Sequence, residues 1–168
     1  MNLRKGFTLV ELLIVIVIIG ITSSAMLFSR DFAAASAEAS SIISDLRSMK
    51  AAALMFLTGS MDAAVLPGEI ASAGVELLLP YIDHPDKFAG GAYDFQAVST
   101  AGDTSWWVSY SLAVGNTTPA VGEKLADRAA SVGLYKTTDA ALTNLFTKDD
   151  RIAFMKLPQF ETVHGMSF

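Results

Sequence analysis

A run of about 22 residues, from Phe7 to Phe28, constrains this chain more than any other feature. It reads FTLVELLIVIVIIGITSSAMLF and carries one charged side chain, Glu11. A helix of about 20 predominantly apolar residues crosses the hydrocarbon of a bilayer, so the length suffices, whereas a buried strand would be far shorter. Arg4 and Lys5 stand just before the run. Basic flanks stay in the cytoplasm, which sends everything after Phe28 outward. The segment reads as a single membrane span. A carboxylate at the centre of such a helix costs roughly 2.5 to 3.5 kcal/mol on insertion scales. Glu11 lies only about 6 Å along the helix from Phe7, near the interface, where the cost is lower. It either snorkels there beside Lys5 and the headgroups or finds a cation elsewhere.

A short basic leader, a Gly, a Phe and an apolar run with Glu five residues in form a specific order. Gly6-Phe7-Thr8-Leu9-Val10-Glu11-Leu12-Leu13 resembles the type IV prepilin signal shared by type IV pilins and secretion-system pseudopilins. The resemblance implies cleavage between Gly6 and Phe7 by a membrane prepilin peptidase and methylation of the new amine on Phe7. It implies Glu11 as the assembly residue, attracting the free amine of a neighbouring subunit. The implied partners are homologous pilin subunits, the peptidase, an inner-membrane assembly platform and membrane lipid. The implied location is the inner (cytoplasmic) membrane with an exported head, then a periplasmic or cell-surface filament. Gly6 suits a peptidase that must take the backbone in close. One departure stands out: many members carry Pro about 22 residues into the mature chain, where this sequence has Phe28. Without it the helix has no obligatory kink, and the departure leans away from a major filament subunit. Gly20, Thr22, Ser23 and Ser24 still make that stretch weakly helical. The rival is an ordinary secretory signal with Ala33-Ala34-Ala35 as its cleavage site, but this run is longer than the usual 7 to 15 residues and carries a carboxylate.

Beyond the span the helical pattern persists. Phe32, Ala35, Ala39, Ile42, Leu46, Met49, Ala53 and Phe56 recur every three or four residues, with Asp31, Glu38, Asp45 and Arg47 off that stripe. No Gly or Pro interrupts before Gly59, a plausible stop. A helix from Phe7 to Thr58 would be roughly 78 Å long. The expected organisation is a leader over 1–6, a transmembrane and assembly helix over 7–28, its amphipathic continuation over 29–58, and an α+β head over 59–168.

The head opens with a Pro67-Gly68 turn and a short helix presenting Ile70, Ala73, Leu77 and Tyr81, stopped by Pro80 near Leu79. Asp83-His84-Pro85-Asp86 has metal-ligating residue types, but a site needs three or four convergent ligands and Pro-bounded Asp/His turns are common solvated loops. After Gly90-Gly91, Tyr93, Phe95 and Ala97 alternate with polar residues as a half-buried strand does. A turn around Ala101-Gly102-Asp103 leads to a second strand, Ser105 to Val114. There Trp106, Val108, Tyr110, Leu112 and Val114 form one face. If that face covers the helix, Trp107 points outward, as a subunit contact or under a covering loop. Asn116-Thr117-Thr118 matches a glycosylation sequon that arises often by chance. Thr118-Pro119 starts a helix lined by Val121, Leu125, Ala129 and Val132 and ended by Gly133. Asp139 to Phe146 reads as another short helix, and Arg151 to Leu157 as a strand with no assignable buried face.

The fold class expected is α+β: a long N-terminal helix packed on a small antiparallel sheet of three or four strands, pilin-like, with a helix-then-meander order. The formal charge of −5 becomes −7 once Arg4 and Lys5 leave with the leader, so the chain carries no electrostatic footprint for nucleic acid. With no cysteine, an exported domain relies on its core alone. Neither His84 nor His164 sits in a hydrolase or metalloprotease context, and no cofactor or enzymatic activity is expected. The leading function is a structural subunit of a type IV pilus-like filament. The alternatives are a pseudopilin driving type II secretion and a membrane-anchored binding protein that never polymerises.

Overall fold

The computed structural model describes residues 7–59, 74–100, 103–139 and 142–158. Arg4, Lys5, Gly6, the Pro67-Gly68 turn, Ile70, Ala73, the Ala101-Gly102 turn and His164 lie outside the described residues.

α1 runs unbroken from Leu9 to Gly59, about 76 Å of helix at 1.5 Å per residue. In the weakly helical stretch the hydroxyls fold back on their own backbone. Thr22 Oγ1 donates to Ile18 O at 2.9 Å and Ser24 Oγ to Gly20 O at 2.9 Å. Such back-bonding spares polar groups from an apolar surround. From Ala35 onward the expected stripe is buried, joined by Ile43 and Ala52. Phe32 departs from it, being 61% exposed, because the head begins one turn farther on.

Four antiparallel strands face the second half of α1: β1 (Tyr93–Thr100), β2 (Asp103–Ser111), β3 (Leu134–Tyr135) and β4 (Ile152–Lys156). Their spatial order is β1-β2-β4-β3, so the expected meander is not what forms. The chain leaves β2 for α2 (Pro119–Val132), makes the two-residue edge strand β3, then returns between them. Register sets the inner face: Tyr93 pairs with Tyr110, Phe95 with Val108, Val108 with Met155, and Met155 with Leu134. All of these are buried with Ile42, Leu46, Met49 and Phe56 in one core. β4, ambiguous as sequence, buries Ala153 and Met155 and turns Ile152 outward.

α2 follows its terminal signals, with Pro119 at the first position and Gly133 closing it at φ 78°, the left-handed conformation that favours glycine. Val121, Leu125 and Ala129 face α1 and the core. Elsewhere the local expectations fail for identifiable reasons. The segment Gly74–Tyr81 is a 3-10 helix running through Pro80, with Leu78 buried in place of the expected Leu77/Tyr81 face. A three-residue repeat aligns Val75, Leu78 and Tyr81, and Tyr81 then meets Phe56 edge-on at 6.2 Å. β2 stops at Ser111 because Gly115 N donates back to Ser111 O, turning the chain and leaving Val114 58% exposed. In the region 139–146 the described residues form no helix. Leu142 has φ 51°, and Leu145 bridges to Tyr135 and so extends the sheet edge.

Candidate functional site

The helix start is built by a reciprocal pair. Thr8 N and Thr8 Oγ1 both donate to Glu11 Oε2, at 3.0 and 2.9 Å, while Glu11 N donates to Thr8 Oγ1 at 3.3 Å. This is a capping box: Thr8 is the N-cap, Glu11 the third helical residue, and two orphan N–H groups of the first turn are satisfied. The carboxylate thus has a role inside its own chain, with Oε1 outside these bonds. Thr8 was missed in reading the residues singly, although Thr-x-x-Glu before an apolar run is the signature of this cap. Phe7 beside it is 79% exposed.

The helix that follows has no cover. Every large apolar side chain from Leu9 to Ile21 is at least 45% exposed, and Met26 is 77% exposed. By length and composition this segment suffices to cross a membrane, and none of its most apolar window is buried against the rest of the chain. Among the described residues, the head buries α1 from Ala35 onward and reaches back to Phe32 through the Lys124 side chain.

Residues 1–27 match the family described as the prokaryotic N-terminal methylation motif, the prepilin-type motif of type IV pilins and pseudopilins. This is a prepilin-type N-terminus. No curated protein and no solved structure matches the chain. Within the prepilin-type motif, Phe7 and Thr8 stand immediately before α1 and Glu11 lies in its first turn, while Gly6, the expected cleavage residue, lies outside the described residues.

Trp107, the other residue singled out, is on the outer sheet face as the alternation requires, but it is fully buried. Its indole N–H donates to Ser105 Oγ at 2.9 Å, its ring meets Tyr135 edge-on at 6.1 Å, and Lys156 Nζ stands 5.6 Å from its centre. A side chain so enclosed presents no surface to a neighbouring subunit, so the contact reading is withdrawn. Asp83, His84 and Asp86 are exposed, and among the described residues no three His, Asp or Glu side chains converge.

A polar clamp that the sequence did not advertise holds the head on α1. Asp45 accepts from Tyr93 Oη at 2.7 Å and from Lys87 Nζ at 2.7 to 2.8 Å, and Lys87 also reaches Ser41 Oγ at 3.3 Å. Burial, then the Asp45 bond and charge, hold the Tyr93 hydroxyl well above the ordinary phenol range. Burial also raises Tyr110, with Glu38 and Asp45 adding to it, and burial lowers the Lys50 ammonium.

Proposed function

We propose that this chain is a structural subunit of a type IV pilus-like filament, made as a precursor and cut between Gly6 and Phe7. Phe7 is then methylated on its amine. The subunit waits in the inner membrane as a single span, N-terminus in the cytoplasm and head exported, and polymerises through residues 7–28.

The observation that carries this reading is the division of α1. Its second half is buried under the head, while its first half exposes an uninterrupted apolar surface that suits only lipid or other copies of the same helix. Glu11 supports the polymer over a simple anchor. A carboxylate in a span is a functional group by default, and its natural partner in a lipid-free bundle of such helices is the amine of a neighbour's Phe7. The capping box also fits a waiting state, since it keeps Glu11 hydrogen-bonded before that amine arrives.

Glu11→Ala tests this in the native host. Mass and N-terminal analysis of the membrane fraction is expected to show a chain still beginning at a methylated Phe7, with much less of it in filaments sheared from cells. Incorporation at the wild-type level would remove the pairing role. A chain beginning near Ser36 would remove the prepilin pathway altogether.

A further inference from the structure

The way α2 is tied to α1 fixes how near the head comes to the membrane. Lys124 Nζ lies 3.9 Å from the centre of the Phe32 ring. One turn later Arg128 donates to Ser36 Oγ at 3.0 Å and also to Ser40 Oγ. The contacts climb together along both helices, so α2 runs beside α1 in the same direction, with its N-terminus toward the apolar half. Pro119 precedes Lys124 by five residues, roughly 7 Å along a helix axis. That distance brings Pro119 and the turn before it level with residues around 28 to 30 of α1. β2 agrees. Val108 pairs with Phe95, which meets Phe56, whereas Tyr110 pairs with Tyr93, which bonds Asp45. The strand therefore descends toward the span, and the turn Leu112–Thr118 is its lower end.

The chemistry of this lower end suits a lipid surface. Residues 104–122 carry no Asp, Glu, Lys or Arg, in a chain whose formal charge is −5. Val114 is 58% and Phe32 61% exposed, and Ala113, Pro119 and Ala120 are also open. Cations flank the patch: Lys124 sits over Phe32, and exposed Arg151 is next to the turn, its carbonyl accepting from Leu112 N at 2.9 Å. The nearby acids are Asp31, next to Phe32, Glu123, Asp127, which pairs with Lys124 at 3.2 Å, Asp149 and Asp150, the last engaged in capping Thr147. Apolar and aromatic side chains gain by leaving water at the headgroup level, where long basic side chains reach phosphates.

We infer that the turn Leu112–Pro119, with Phe32 beside it, rests in the headgroup layer of the bilayer crossed by the chain's own helix. The unassembled subunit holds its head down on the lipid. The inference rests on reading residues 7–28 as a span, and its test separates the two.

The natural chain has no cysteine, so Val114→Cys, Ala113→Cys, Thr100→Cys and Ile18→Cys each give a single site for an environment-sensitive fluorophore. The full chain is placed, dilute, in vesicles of phosphatidylcholine and phosphatidylglycerol with nitroxides on either headgroups or acyl chains. Labels at 113 and 114 should be quenched by headgroup nitroxides about threefold more than the label at 100, on the far end of β1, while the label at 18 responds to acyl-chain nitroxides. Labels at 113 and 114 behaving like that at 100, with 18 quenched, would overturn the docked head and leave the span intact. An unquenched label at 18 would overturn the span and the docked head with it.

Discussion

Tyr93→Phe probes the clamp between head and helix with the least change in shape. The ring stays in the core, between Phe88 at 4.9 Å and Tyr110 at 4.8 Å, and only the hydroxyl bonded to Asp45 is lost. A hydrogen bond to a charged group contributes about 1.5 to 3 kcal/mol. The lower end applies here, because the Asp45 side chain keeps Lys87 and is 13% exposed, so water and the ammonium relieve the carboxylate. The expected loss is about 1.5 kcal/mol between pH 7 and 9. The pH dependence is the sharper part. The folded-state pKa of Tyr93 is raised, so the stability it contributes is complete below the unfolded tyrosine pKa of about 10 and declines as pH rises past it. Only wild type suffers this decline at position 93. By pH 11 it amounts to about 1 kcal/mol, after discounting the full value of about 1.4 for solvent screening at Asp45. The gap between the two proteins therefore narrows from about 1.5 kcal/mol at pH 8 to about 0.5 kcal/mol at pH 11. Urea unfolding of the full chain in detergent micelles measures this through Trp106 and Trp107, both in the head. Equal stabilities at pH 8, or a gap that stays constant to pH 11, would refute the reasoning.

Other substitutions probe separate parts of the fold. Leu46→Ala removes a fully buried side chain at the helix–sheet contact and should cost about 2 to 5 kcal/mol, read as a lowered midpoint in the same unfolding assay. Trp107→Ala should destabilise the head itself by about 3 to 5 kcal/mol; a variant of unchanged stability that fails only in filaments would restore the residue as a subunit contact. Gly115→Ala places a methyl group against the Tyr110 hydroxyl and should cost about 1 to 3 kcal/mol, with an altered Tyr110 environment by NMR.

Much of the candidate site was legible because its signals are local. The expected cut site, the apolar run and Glu11 lie within a few residues of one another, and the Thr-x-x-Glu cap was readable there too. In the head, Thr118-Pro119 and Gly133 delimit α2 through backbone preferences that belong to those residues alone. The alternation of Tyr93 and Phe95 fixes their shared face because the pleat has a period of two.

Other features depended on partners far away in the chain. RIAFMKL has apolar residues on both faces, and only its pairing with β2 made Ala153 and Met155 the inner ones. β3 has two residues and no pattern of its own; it is a strand because β4 is beside it. Trp107 obeyed the alternation and was still enclosed, since periodicity gives a side chain's direction and not what covers it. The reverse holds for Phe32, which fits the helical stripe yet stays 61% exposed because, of the head, the Lys124 side chain alone among the described residues is seen over its ring. Asp45 looked like a solvated helix residue until the fold brought Tyr93 and Lys87 to it across more than forty residues. The sequence by itself determined the extent of α1, the limits of α2, the strand character of β1, β2 and β4, and which half of α1 is fit for lipid. Strand order, the enclosure of the outer face and the clamp at Asp45 were decided by tertiary structure, because each depends on contacts between segments whose local patterns carry no record of one another.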